Sequence, residues 1–93
     1  MADKAVRVVI EGRVQGVFFR AWTTQEAERR SLSGWVRNRM DGTVEALFSG
    51  DGSQVDEMVG LCRRGPPAAS VVNVTEHPAD APPEPGFRYA PTV

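Results

Sequence analysis

The segment that decides the fold is residues 35–48, which have the sequence WVRNRMDGTVEALF. An Asp-Gly pair at positions 41–42 stands between two runs of strand-forming residues. A type I′ turn needs positive φ at both of its central residues, and Asp-Gly is well suited to supply them. Such a pair between two strand-like runs is the strongest short-range signal for a β-hairpin. We therefore place a hairpin near the centre of the chain.

The segments before the hairpin predict a strand followed by a helix. Val6, Val8 and Ile10 alternate with other residues, which is typical of a strand with one buried face. Helix-forming residues then run from about Phe19 to Ser31. A glycine-containing loop, residues 12–18, joins the two elements.

The segments after the hairpin predict a second helix and two more strands. The helix is indicated by apolar residues at spacings i, i+3, i+4 and i+7, namely Val55, Met58, Val59 and Cys62. Residues 70–76 are rich in Val and Thr and predict a strand, whereas the proline-rich residues 78–86 predict a loop. A short final strand at residues 87–89 is expected at a sheet edge, because Pro91 soon ends it.

The order β-α-β-β-α-β, with a short fifth strand, predicts an α+β protein with a ferredoxin-like sandwich. Two helices would cover one face of an antiparallel sheet. A chain of 93 residues is long enough for one hydrophobic core but not for two. We therefore take residues 1–93 as a single domain, with its core at about 5–91.

Composition excludes several classes of protein. Hydrophobic residues make up 41% and charged residues 25%, as in ordinary globular proteins. No apolar run approaches the ~18 residues of a transmembrane helix, and residues 1–4 lead into the first strand without the apolar stretch of a secretory signal. One cysteine and one histidine allow neither an internal disulfide nor a structural zinc site in a monomer. We expect a cytoplasmic protein.

The charge is small overall but unevenly distributed. A net charge of −1 is not that of a nucleic-acid-binding protein. Residues 1–40 contain eight Lys and Arg against four Asp and Glu, whereas residues 41–93 contain three against eight. The first half can therefore attract a small anion, although small domains often divide their charge unevenly without any functional reason.

Residues 12–20, GRVQGVFFR, are the first candidate functional segment. A glycine-containing loop between a strand and a helix lets backbone N–H groups converge, and the helix N-terminus adds unpaired donors. Arg20 lies at the start of the helix, and its guanidinium can form two hydrogen bonds to a phosphate or carboxylate. The segment is a candidate anion cradle. The alternative is that the glycines serve only the turn and that Arg20 is merely solvated.

Asn38 is the second candidate. Asparagine is depleted in strands, yet this one lies in a strand-like run. Its side chain offers both a donor and an acceptor, so it can hold a water molecule in a fixed orientation. The alternative is that Asn38 occupies a β-bulge or the solvated face of the sheet.

The chain resembles the acylphosphatases, a family of small ferredoxin-like enzymes that hydrolyse the carboxyl-phosphate bond of acyl phosphates. The resemblance rests on GRVQGVFFR at 12–20, GWVRN at 34–38 and DGTVE at 41–45, and extends over residues ~5–89. One departure is at Arg30 and Ser31, where the family usually has an aliphatic residue and the glycine that ends the first helix. This departure puts the helix end in doubt but does not touch the candidate site.

The resemblance implies a role for each candidate residue. Arg20 matches the phosphate-binding arginine, and Asn38 matches the asparagine that orients the attacking water. The phosphoryl oxygens would be held by a backbone cradle of Gln15, Gly16, Val17, Phe18 and Phe19, together with Arg20. We expect no metal and no cofactor, because Arg20 and the N–H donors supply the positive field. The expected substrate is an acyl phosphate, with inorganic phosphate as product and inhibitor.

Two other functions remain as alternatives. One is a catalytically inactive ferredoxin-like module that binds an anion or a partner, and the other is an RNA-binding domain. The RNA-binding alternative is disfavoured because the basic and aromatic pattern of such domains is missing from residues 43–48. The aromatic residues, including Phe18 and Tyr89, are predicted to pack in the core. We expect a monomer that acts without nucleic acid or a membrane.

Overall fold

The computed structural model describes residues 3–93. Residues 1 and 2, which belong to the predicted domain 1–93 and to the N-terminal segment 1–4, lie outside the described residues. The order of strands and helices is the predicted one. The elements are β1 (Asp3–Arg13), α1 (Phe19–Arg29), β2 (Ser33–Asn38), β3 (Val44–Asp51), α2 (Gly52–Cys62), β4 (Ser70–Pro78) and β5 (Phe87–Tyr89).

The five strands form one sheet in the order β4-β1-β3-β2-β5. The four longer strands pair with one another only in antiparallel fashion, which confirms the predicted ferredoxin-like arrangement. The fifth strand differs, because β5 pairs parallel to β2, with Gly34 opposite Phe87. Strand β4 stops at the same end of the sheet at which β2 starts. The loop after β4 runs along that end, so β5 also starts there and runs in the same direction as β2. The sheet is therefore mixed rather than wholly antiparallel.

The central hairpin is confirmed, but the predicted type I′ turn is wrong. Strands β2 and β3 are joined by five residues, 39–43, and only Gly42 has a positive φ, at 92°. The Asp41 carboxylate accepts hydrogen bonds from the N–H of Thr43 at 3.0 Å and from its hydroxyl at 2.7 Å. This side-chain turn stabilises Asp41 in an ordinary backbone conformation, and the loop becomes longer than two residues.

The core lies between the sheet and the two helices. Val6, Val8 and Ile10 stand opposite Phe48, Ala46 and Val44, and all six are buried. The predicted apolar face of α2 is also buried, which confirms its four-residue pattern. Burial raises the pKa of the Cys62 thiol to about 12, so this residue is a packed, protonated core side chain.

The opposite face of the sheet carries charged side chains. Glu45 accepts hydrogen bonds from Arg37 at 2.8 Å and from Arg7 at 2.9 Å, and the Arg37 guanidinium lies 4.5 Å from the ring centroid of Trp35. Burial alone would raise the pKa of Glu45, but the hydrogen bonds from the two arginines outweigh it and the pKa lies below its ordinary value. Glu45 therefore remains ionised between its two partners at neutral pH.

Helix α1 ends two residues before its predicted limit, in a Schellman motif. Ser31 has a φ of 57°, and its N–H donates to the carbonyl of Glu28 at 3.0 Å. The N–H of Leu32 donates to the carbonyl of Ala27 at 2.9 Å. This left-handed position is usually glycine. Serine thus completes the normal hydrogen-bonding pattern of the helix end, but at a backbone conformation that is unfavourable for an L-residue.

Replacing Ser31 with glycine is expected to stabilise the protein by about 0.5–1 kcal/mol. Glycine relieves the left-handed strain but loses more conformational freedom on folding, so the net gain is only a part of the strain. Urea unfolding measures the change, and Ser31→Ala is the matched control because alanine keeps the Cβ atom. Equal stability changes in the two variants would show that the hydroxyl, and not the backbone conformation, matters.

Candidate active site

In the loop between β1 and α1, the sign of the backbone φ angle alternates from residue to residue. Gly16 has a φ of 73° and Phe18 a φ of 63°, whereas Val17 between them has a negative φ. Such alternation turns successive N–H groups toward one side and makes an anion-binding concavity. The first helical hydrogen bond runs from the Trp22 N–H to the Phe18 carbonyl at 3.0 Å, so the N–H groups of residues 19–21 have no acceptor within the helix.

Arg20 adds a positive charge beside these donors. It is half-buried in the first turn of α1, and its guanidinium carbon lies 5.4 Å from the ring centroid of Tyr89, within cation–π range. The first turn of the helix contains no acidic residue. None of the ion pairs formed within residues 3–93 involves Arg20. Its charge is therefore available to an anion.

One pocket of about 240 Å³ brings the two main candidates together. Its lining residues are Val14, Gly16, Phe18, Phe19, Arg20, Ala21, Asn38 and Tyr89. Asn38 is the last residue of β2 and pairs in regular register with Val44, so it does not occupy a bulge. Its backbone carbonyl accepts from the N–H of Val93 at 3.2 Å. No hydrogen bond within the described residues engages its side-chain amide, which is left to act in the pocket.

Two predicted cradle residues do not line the pocket with their side chains. Val17 is buried in the core. The side chain of Gln15 turns away, and its Nε2 donates to the carbonyls of Arg39 at 2.8 Å and Thr43 at 2.9 Å. These two bonds tie the loop to the turn that follows Asn38. Gln15 and Val17 can therefore contribute to anion binding only through their backbone, while the Gln15 amide fixes the loop relative to the hairpin.

The prediction that Phe18 and Tyr89 pack in the core is wrong. The Phe18 side chain is 83% exposed and Tyr89 is 50% exposed, and both line the pocket. The left-handed backbone at Phe18 turns its side chain outward, while Phe19 takes the place in the core. Two consecutive aromatic residues at a loop–helix junction could have given a signal, because adjacent side chains do not share one helix face.

The one histidine and the one cysteine of the chain do not line the pocket. His77 is in β4, opposite Arg7, and Cys62 is the buried last residue of α2. Across residues 3–93, no three His, Cys, Asp or Glu side chains gather as a metal site would require. None of the helices in the same part of the chain combines the length and the apolarity needed to cross a membrane.

Comparison with known proteins identifies the family. The Acylphosphatase family model matches residues 6–89. The chain is 53% identical to an acylphosphatase of Acidiphilium cryptum over 83 residues, which cover 89% of this chain and 91% of the relative. It is 49% identical to an acylphosphatase of Rhodospirillum rubrum over 90 residues, which cover 97% of this chain and 99% of the relative.

A solved structure shows the same fold. The structure of an acylphosphatase from Coxiella burnetii superposes with a TM-score of 0.90 at 33% identity, and the match covers 95% of this chain and 93% of the other. Family model, relatives and fold thus agree over nearly the whole length of the chain. The chain belongs to the acylphosphatase family, the enzymes that hydrolyse acyl phosphates.

Proposed function

We propose that the pocket between α1 and β2 is the active site and that each candidate residue has a defined role in it. Arg20 and the backbone N–H groups of residues 15–19 bind the phosphoryl group, and Asn38 orients the attacking water. The observation that carries this proposal is that Arg20 and Asn38 come from different elements, yet line one pocket. The charge of Arg20 is not used by any ion pair within residues 3–93.

The phosphoryl group is held by positive charge and by N–H donors. The phosphoryl oxygens carry negative charge that spreads further over them in the transition state. The guanidinium of Arg20 can donate two hydrogen bonds to them, and the loop, in which the sign of φ alternates over residues 16–18, adds N–H donors. Because the loop backbone is held by the bonds of Gln15 to the hairpin, the donors need little rearrangement when charge develops.

The attacking water is placed by Asn38, and the leaving group needs little assistance. The Asn38 amide can both accept from and donate to a water molecule. Holding this water in line with the phosphorus replaces a random encounter with a positioned one. The P–O bond to the acyl group breaks as the water oxygen bonds to phosphorus, and the electron pair leaves on the carboxylate. The water proton passes to a phosphoryl oxygen, so no protein acid or base takes part.

The expected result is hydrolysis of benzoyl phosphate that continues in excess chelator. Since Arg20 and the N–H donors supply the positive field, turnover with EDTA should stay within about twofold of turnover without it. Inorganic phosphate should inhibit competitively, because it occupies the same cradle. Release of benzoate, followed by ultraviolet absorbance, measures both effects. Loss of turnover in EDTA and its return with Mg²⁺ would contradict a metal-free mechanism.

We also propose the oligomeric state and the cellular compartment of the enzyme. Residues 1–93 would act as a single domain and as a monomer, in the cytoplasm, on a small-molecule substrate. The one cysteine supports the compartment, because Cys62 is a free, buried thiol and reduced thiols are usual in the cytosol. The net charge of −1 supports the absence of a nucleic-acid partner.

A further inference from the structure

We propose that Phe18 and Tyr89 form an acyl-binding face at the mouth of the pocket. This face makes the enzyme favour acyl phosphates whose acyl group is aromatic or bulky and apolar. The inference rests on the function proposed above and adds a substrate class to it. It starts from two exposed aromatic side chains that line one small pocket.

The pocket is too small to enclose both the phosphoryl group and the acyl group of the substrate. Pockets that enclose a drug-sized ligand are usually ~300–1,000 Å³, whereas this one is about 240 Å³ and open to solvent. The phosphoryl group occupies the part that contains Arg20 and the loop donors. The acyl group is covalently joined to it, so it must lie at the rim. What lines the rim therefore decides which acyl groups gain binding energy.

The rim is apolar. Arg20 and Asn38 are the charged and amide side chains that line the pocket, and both face the phosphoryl group and its water in the proposed mechanism. Phe18 and Tyr89 provide the exposed surface that is left over, beside the small Ala21. Aromatic rings gain by stacking or by edge-to-face contact with another ring. A negatively charged acyl group finds no cation other than Arg20 among the described residues that line the pocket, and the phosphoryl group uses Arg20.

The backbone conformation of Phe18 supports a binding role for its exposed ring. A bulky residue with a φ of 63° is an outlier that costs free energy. That conformation turns an 83% exposed ring into the solvent at the pocket mouth, where it gains nothing from packing in the free protein. A bound apolar group would cover this ring and bury it.

Tyr89 also contacts Arg20, and the experiment must distinguish the effect of this contact from that of the proposed acyl contact. Its ring lies 5.4 Å from the Arg20 guanidinium carbon, so it also serves to position the arginine. Loss of that contact would slow all acyl phosphates alike, because every substrate carries the same phosphoryl group. Loss of an acyl contact would slow only the substrates whose acyl group reaches the ring. Benzoyl phosphate and acetyl phosphate differ in this respect.

The experiment compares kcat/KM for benzoyl and acetyl phosphate in the wild type and in three variants. In Tyr89→Ala the benzoyl-to-acetyl ratio should fall about 3- to 10-fold, the range expected for a lost aromatic contact. Tyr89→Phe keeps the ring and should retain the wild-type ratio. Val72→Ala is the matched control, since Val72 is an apolar residue on β4 that is 80% exposed and does not line the pocket. The intrinsic reactivity of the two substrates cancels when ratios are compared.

A ratio in Tyr89→Ala that stays within twofold of the wild type overturns the proposal. This holds also when both substrates are slowed together, which would assign Tyr89 to the support of Arg20 alone. If Tyr89→Ala loses the circular dichroism spectrum of the wild type, Phe18→Ala is judged by the same criterion. Failure of the proposed function looks different, because the wild type would then hydrolyse neither substrate.

Discussion

Replacing Arg20 with alanine is expected to lower kcat/KM for benzoyl phosphate by a factor of about 10³ or more. It should also abolish inhibition by inorganic phosphate at concentrations that inhibit the wild type. The reason is that Arg20 is the charged side chain that lines the pocket. Its removal takes away two hydrogen bonds and the positive charge that stabilises the transition state. Initial rates and phosphate inhibition constants measure the two effects.

Two further variants separate the shape of Arg20 from its charge. Arg20→Lys keeps the charge but loses the planar fork that binds two oxygens, so its rate should lie between those of alanine and arginine. Arg29→Ala is the matched control, because Arg29 lies on the same helix and its side chain is 72% exposed. An alanine variant at position 20 within tenfold of the wild type would remove Arg20 from the proposed mechanism.

Replacing Asn38 with alanine should separate rate from binding. We expect kcat to fall by about 10²–10³, comparable to the loss of one positioned hydrogen-bonding group in an active site. The inhibition constant of inorganic phosphate should remain near that of the wild type, because the cradle of residues 15–20 is unchanged. Steady-state kinetics with benzoyl phosphate, with and without added phosphate, measure both quantities.

The Asn38 experiment has a control and an opposite outcome. Asn73 on β4 carries another exposed side-chain amide, which donates to the Glu11 carboxylate and does not line the pocket. Asn73→Ala should therefore leave kcat unchanged. Asn38→Asp introduces a negative charge beside the phosphoryl site and should therefore weaken phosphate binding as well as slow turnover. If Asn38→Ala turned over normally, the water would have to be held by another group.

The element order was predictable because it depends on local patterns. Alternation in β1 and the four-residue stripe of α2 report directly which face of each element is buried. Two details escaped for different reasons. The Asp41 carboxylate selects a longer turn by accepting hydrogen bonds from Thr43, a local signal that the adjacent Asp-Gly pattern outweighed. The direction of β5 follows from where β4 ends, and it is not contained in the residues of β5 itself.

The candidate site was predictable only in part for the same reason. The segment 12–20 and Asn38 were predicted from their residue types, and from the resemblance of their spacing to a known family. Gln15 was expected only as part of the backbone cradle, and the role of its side chain was not predicted. Its two carbonyl acceptors, on Arg39 and Thr43, lie 24 and 28 positions further along the chain. Tyr89 was missed because hydrophobicity favours burial, while its place on the edge strand leaves it beside Arg20.

The separation of the pocket residues along the chain has a consequence for refolding. Arg20, Asn38 and Tyr89 belong to α1, β2 and β5, and the first strand, β1, pairs with the distant β4, with Gly12 opposite Val71. The pocket thus forms only when distant segments have met, and pairing of distant strands is slow, often on the millisecond-to-second scale. Return of activity after dilution from denaturant therefore marks the last stage of assembly rather than the first collapse.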